Sequence, residues 1–244
     1  MSESPLVQNG YAVRLEWGAE AVSALASRCA VVVVVDVLSF STSVDIVLGR
    51  GATVRLTTGD NETSYQLRGP ASLTDQPAGT QVLMTSPNGG RLCAMASALG
   101  PLVLTGCLRN ARAVAAVAAG LADGQPVGVI PAGEQWGVDL LTDNEPTTGA
   151  LRPAIEDQLG AGALVSELLK LGLGPASPEA ALAATTYRAA QPYLGDLLAE
   201  CASGRELIAT GNGEDVMPAA DLECSTVAPV LVGEEFRNGF QDPA

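Results

Sequence analysis

The hydrophobic pattern begins with a short alternating stretch, YAVRLEW, and continues into an apolar-periodic segment, AEAVSALASRC. The first reads as a strand and the second as a helix. Next comes the most apolar run of the chain, five successive valines from Val31 to Val35. β-Branching favours an extended backbone, and a run with no polar break predicts a strand buried on both faces. The run ends in Asp36. Ser39, Ser41, Thr42 and Ser43 then lead into a helix expected to close at Gly49 or Gly51. Further strands are predicted at Ala52–Leu56, Gln81–Thr85, Pro101–Gly106 and Pro126–Glu134, with Thr57–Gly79 and Gln135–Ala150 as long loops. Three strands end alike, in a small or polar turn that starts a helix: DVLSFSTS, SPNGG and TGCLRN. That rhythm predicts an α/β fold with a parallel sheet whose polar groups gather on one edge, where ligands of such sheets bind.

The second half is helical. LRPAIEDQLGAGALVSELL predicts a helix with Pro153 as its first residue and Glu156 and Asp157 in its first turn. The small residues Gly160, Ala161, Gly162 and Ala163 predict close packing against another backbone. Ser177 caps a helix begun by Pro178, and helical segments near 179–190 and 192–202 end at Gly204. RELIATGNGEDV and a last strand, TVAPVLV, follow; the final GEEFRNGFQDPA reads as peripheral.

Composition narrows the function. The 244 residues are 47% hydrophobic but only 4% aromatic, so small aliphatics must fill the core. A net charge of −14 argues against a nucleic-acid groove or binding to an anionic membrane surface. The five scattered cysteines contain no CxxC pair, which suits reduced thiols in a cytoplasmic protein. MSESPLVQNG lacks a secretory pattern, and no apolar run reaches the roughly 20 residues of a membrane span. Histidine is absent, which removes the commonest general base and zinc ligand. Acid–base work falls to Asp, Glu, Cys, Tyr or the single lysine, Lys170, and a divalent metal would need oxygen ligands, favouring magnesium or manganese.

Known phosphate-chemistry signatures fail one by one. Cys107 lacks an arginine at the position a thiol phosphatase requires, because residue 113 is alanine. Asp36 is followed by Leu38 where a second aspartate would serve a haloacid-dehalogenase-type enzyme. GxxxxGK[ST] and GxGxxG are both absent. What remains is a set of oxygen donors at strand and helix ends: Asp36, Asn88, Asn110, Glu134, Glu156 and Asp157. Singly, each has an ordinary structural role as a cap, turn or dipole partner. Together they could chelate magnesium and position water, while Arg109 or Arg152 supplies a fork for an anionic group.

VVVVVDVLSFSTS, TSPNGG, GCLRNARAVA, IPAGE, LRPAIEDQLGAGAL, SGRELIATGNGEDV and APVL occur in an order that resembles the ComB family, the 2-phosphosulfolactate phosphatases. The resemblance spans roughly Val31 to Leu231 and crosses the break at Leu171–Pro178, so one continuous α/β unit is preferred to two lobes. It implies a three-layer αβα fold with a mostly parallel or mixed sheet. It also implies a magnesium-dependent phosphatase that hydrolyses 2-phospho-3-sulfolactate, in coenzyme M biosynthesis where that cofactor is made. The expected site has Asp36, Asn88 and Glu134 as catalytic residues and Asp36, Glu156 and Asp157 as metal ligands. Ser41, Thr42, Ser43, Arg109, Asn110 and Arg152 are expected to bind substrate. One departure stands out: the family often reads DVLRAST where this chain has DVLSFST, so Ser39 replaces an arginine. The rival readings are a non-catalytic small-anion binder of the same fold and an oligomer subunit packed through small-residue helices such as Ala111–Leu121.

Overall fold

The valine run forms strand β2 (Val31–Val35) of the computed structural model, which describes residues 4–57, 69–137 and 149–240. Successive side chains of a strand point to opposite faces. Val31, Val33 and Val35 therefore enter one apolar core, while Val32 and Val34 enter another, and all are fully buried. No polar residue interrupts the run because neither face is wet. Each such valine contributes about 1.5–3 kcal/mol of burial.

The core on the odd-valine face is built by α4 (Ala111–Ala122), α5 (Ile155–Lys170), α6 (Pro178–Ala190) and α7 (Leu194–Glu200). The other face carries α1 (Gly18–Leu25), α2 (Phe40–Gly49) and α3 (Gly89–Ser97). Helices on both sides of a central sheet make the three-layer α/β fold. Two shorter helices, α8 (Ala202–Ala209) and α9 (Val216–Ala220), complete the odd-valine side. Ala111, Ala115, Ala118 and Ala122 of α4 are buried within the chain, so this alanine face is spent on its own core rather than on a partner. Among the described residues, no helix is long and apolar enough to cross a membrane.

The sheet also contains β1 (Val13–Leu15), β3 (Thr53–Leu56), β4 (Gln81–Met84), β5 (Leu102–Gly106), β6 (Val127–Pro131), β9 (Pro229–Val232) and β10 (Glu235–Asn238). Its order is β1-β6-β2-β5-β9-β10-β3-β4. The first four strands are parallel, the pairs β5–β9, β9–β10 and β10–β3 are antiparallel, and β3–β4 is parallel. The tail read as peripheral is therefore an interior strand. Phe236 of β10 is fully buried and meets Phe40 edge-on at 5.9 Å. Short strands with polar flanks hide this role, because burial comes from neighbours distant in sequence.

The antiparallel pair β9–β10 has a second consequence. It leaves β3 and β4 running opposite to β2, so their ends do not share an edge with Asp36 in the ladder. Nevertheless Gly89, five residues beyond the end of β4, touches Asp36. α3, whose first residue is Gly89, packs against α1, β2 and β5, so the chain leaving β4 crosses back to the β2 part of the sheet and brings SPNGG to Asp36.

Two boundaries differ from the sequence reading. β6 stops at Pro131, and Glu134 instead belongs to β7 (Glu134–Gln135), which pairs with β8 (Leu151–Arg152) in a separate ribbon. α5 begins at Ile155, so Pro153 precedes the helix instead of starting it. Residues 58–68 and 138–148 of the two predicted long loops lie outside the described residues; Pro70–Leu73 is a 3-10 turn. The predicted close packing of α5 is present. A Cβ on Gly162 would lie 2.2 Å from the Ala183 carbonyl oxygen of α6, and one on Gly160 would lie 2.6 Å from Val37.

Candidate active site

Asp36 follows the last residue of β2 and is 5% exposed. Its Oδ2 accepts the Gly89 N–H at 2.8 Å and the Ser86 hydroxyl at 3.4 Å, and its Oδ1 accepts the Phe40 N–H at 3.3 Å. Phe40 and Gly89 are the first residues of α2 and α3, so one carboxylate sits at two helix N-termini, where free N–H groups and the dipole favour negative charge. Gly89 is needed for this approach: a Cβ there would stand 2.7 Å from Asp36 Oδ2 and from Phe40. Burial still pushes the Asp36 carboxyl above its usual range, and the charge of Glu156 adds to the push.

Asp157 and Glu156, on the first turn of α5, are buried beside Asp36. Asp157 Oδ1 accepts the Val37 N–H and Oδ2 the Gly133 N–H, both at 2.8 Å. It thus ties the segment after β2 to the segment after β6. Burial, then Asp36, then Glu156 drive its carboxyl well up. Glu156 is 2% exposed and adjoins the Cys201 thiol, which burial and that carboxylate raise to about 12. Cys201 is therefore an inert thiol and no nucleophile.

Glu134 forms the outer wall. It is half-buried, and its Oε2 accepts the Asn88 amide at 2.8 Å. Burial and the charges of Asp36 and Glu156 lift it to about 7, opposed by Asn88 and by Arg152, its cross-strand partner. The Arg152 guanidinium lies 6.0 Å over the exposed Trp136 ring. Asp36, Asn88, Glu134, Arg152, Glu156 and Asp157 are thus brought together, with Asn88, Glu134 and Arg152 at the solvent side.

The other expected substrate contacts have different places. Ser41 Oγ accepts the Asp36 N–H at 2.9 Å and pairs with Thr105 Oγ1 at 2.6 Å; Thr42 Oγ1 donates to the Val37 carbonyl at 2.8 Å. Both are fully buried, and Ser43 is 3% exposed. Ser41 and Thr42 hold the turn under Asp36 rather than cradling a ligand. Arg109 and Asn110 belong to a second network. Arg109 Nε donates to Asp45 Oδ2 at 2.8 Å, Asn110 Nδ2 to Asp45 Oδ1 at 3.1 Å, and the Ser225 hydroxyl to Asp45 Oδ1 at 2.6 Å. Arg109 also donates to the Pro218 carbonyl. These groups fasten the C-terminal segment to α2. The sequence reading missed Ser86 as a partner of Asp36 and Asp45 as the centre of the second network. Ser86 opens the SPNGG turn, which was visible; Asp45, an acid between Val44 and Ile46 in an apolar helix, was a signal the reading passed over.

The donors suit a hard cation. They are carboxylate and amide oxygens, and their mutual repulsion is the field a divalent ion would relieve. Among the described residues, no three His, Cys, Asp or Glu side chains are grouped so that they could hold a metal ion among them. Magnesium does not require such a group, since it binds through one or two carboxylates plus water and substrate phosphate. The family model described as 2-phosphosulpholactate phosphatase matches residues 68–234, which carry every residue of this cluster except Asp36 and the turn beneath it. With more than half of its length matched by that model, the chain that gathers these acids belongs to the 2-phosphosulpholactate phosphatase family.

Proposed function

We propose that this chain is a cytoplasmic, magnesium-dependent phosphatase that releases phosphate from 2-phospho-3-sulfolactate or a closely related phosphate monoester. The reading rests on one observation: Asp36, at two helix N-termini, lies in a cluster of buried acids within a phosphatase family. Asp36 and Glu156 would hold the magnesium, with Asn88 and Glu134 at its solvent side and Asp157 positioning the strand ends. The ion, when bound, supplies charge neutralisation for the transferring phosphoryl group. The N–H groups at the starts of α2 and α3 hold the Asp36 carboxylate in place beside that group.

Glu134 titrates at about 7, near the optimum for proton transfer at neutral pH. It acts as general base toward the attacking water or as general acid toward the leaving alkoxide. Arg152, paired with it across the ribbon, orients the acid groups of the substrate. Ser39 stands half-buried at the start of α2, and a serine there cannot supply the fork that the family arginine would. Recognition of the sulfonate or its replacement then falls to Arg152, which favours a related ester as well as phosphosulfolactate.

The test is phosphate release from an ester panel that includes phosphosulfolactate, with and without EDTA. Turnover should require the divalent ion and vanish in Asp36→Asn. Full activity in that variant would remove Asp36 from the reaction. The stereochemical course at a phosphorus made chiral with oxygen isotopes separates the two routes: net retention means a phospho-aspartyl intermediate, net inversion means direct attack by water.

A further inference from the structure

A second cleft lies toward the far end of α5 from the acid cluster. Its volume is about 410 Å³, and it is bounded by the start of α4, the last turns of α5 and the end of α6. Ser166, which lines it, is ten residues beyond Glu156 on the same helix, about 15 Å along the axis. Ser166 is 3% exposed, and its hydroxyl has no hydrogen-bond partner. A buried hydroxyl left unmatched is costly, and a ligand group that reached it would recover that free energy.

The charges in the cleft are layered. The deeper ones are acids: the side chains of Glu167 and Glu223 are 11% and 16% exposed, and the charge of Glu167 acts on Glu223. Arg112 Nε stands 3.9 Å from Glu167 and 3.7 Å from Glu223, too far for a hydrogen bond to either, while the Arg112 backbone N–H donates to Glu223 Oε1 at 3.2 Å and Oε2 at 3.3 Å. Lys170 pairs with Glu167 from outside. The rim is cationic: Arg112 and Lys170 are 72% and 67% exposed, and Arg188 is exposed too. Three of the chain's 13 basic residues thus ring one cleft in a protein of net charge −14.

Acids below and cations above are the complement of a small molecule with a positive and a negative end. We infer that this cleft binds a small zwitterion of the amino-carboxylate class. Its ammonium sits between Glu167 and Glu223 and donates to Ser166 Oγ, while its carboxylate faces Arg112 and Arg188. An ammonium there makes the short, charge-assisted contacts that the Arg112 guanidinium does not reach. A free anion would meet the two acids at the floor, and a free cation would meet the rim.

The test is calorimetric titration of the full-length protein with β-alanine, and separately with acetate and with ethylammonium. β-Alanine should bind, and each half-molecule should bind at least tenfold more weakly. Ser166→Ala should weaken β-alanine binding by roughly tenfold, and Glu223→Gln by tenfold or more. Ser166→Ala should also raise the melting temperature by removing an unmatched buried hydroxyl, which shows that its fold is intact. Glu134→Gln, in the acid cluster, should leave this binding unchanged. The inference is overturned if β-alanine gives no binding, if acetate binds as tightly, or if Glu223→Gln and Ser166→Ala both bind at full strength. If Ser166→Ala fails to fold, the exposed Arg188→Ala replaces it and should likewise weaken binding about tenfold.

Discussion

Replacing Glu134 with glutamine should stabilise the protein near neutral pH while abolishing turnover. The folded-state carboxyl titrates at about 7, against 4.5 for the free group, with burial as the main cause and Asp36 next. Between those values the folded chain keeps a proton that the unfolded chain has released. Stability therefore falls as pH rises from 4.5 to about 7 and is flat above, as far as this group is concerned. At about 1.4 kcal/mol per pKa unit, the full cost of ionising Glu134 is about 3 kcal/mol. Asp36 titrates in the same field, so about 2 kcal/mol is the expected share of Glu134. Glutamine has the shape of the protonated acid and keeps a carbonyl for the Asn88 amide. Urea midpoints of both proteins, in EDTA, should agree near pH 5 and diverge near pH 8 in favour of the variant. The gap corresponds to a melting-temperature rise of about 4–8 °C. In parallel, the limb near pH 7 in kcat/KM should disappear together with activity. Equal stability profiles across that range, or a weaker variant at pH 8, would refute the claim that Glu134 is held up by burial and neighbouring acids.

Gly89→Ala should lower kcat/KM at least a hundredfold and cost about 1–3 kcal/mol, because its Cβ would press on Asp36 and Phe40; activity assays and urea melts check both. Magnesium binding near pH 7 should release protons, since the acids around Asp36 are raised in the free protein. Titration calorimetry in buffers of different ionisation enthalpy reads that release, and its absence would mean the ion binds elsewhere. Asp45→Ala should destabilise by about 3–5 kcal/mol, because Arg109 loses its short buried partner; denaturant melts should show this at any magnesium concentration.

Local pattern was enough for much of the molecule. The valine run, the helices after it and after SPNGG and CLRN, and the close-packing glycines of α5 follow from side-chain branching, capping and the absence of a Cβ. Those rules act over a few residues, so they can be read along the chain. The oxygen donors Asp36, Asn88, Glu134, Glu156 and Asp157 were also visible, because polar groups ending apolar runs have few reasons to be there. Tertiary structure decided which of them meet. β10, built from a tail that looked peripheral, joins β9 to β3 and β4, and the chain after β4 returns to bring Gly89 to Asp36. Ser41 and Thr42 looked like a phosphate cradle, but they face the sheet interior and bond to Thr105 and Val37. Arg109 and Asn110 follow a strand end as Asn88 follows another, yet Asp45 claims them. For Arg109 and Ser41, whether a guanidinium or hydroxyl is free for a ligand depends on partners more than 60 residues away, Asp45 and Thr105. Periodicity and spacing carry no record of such distant partners, because the contact forms only when the elements that carry them pack together in the fold.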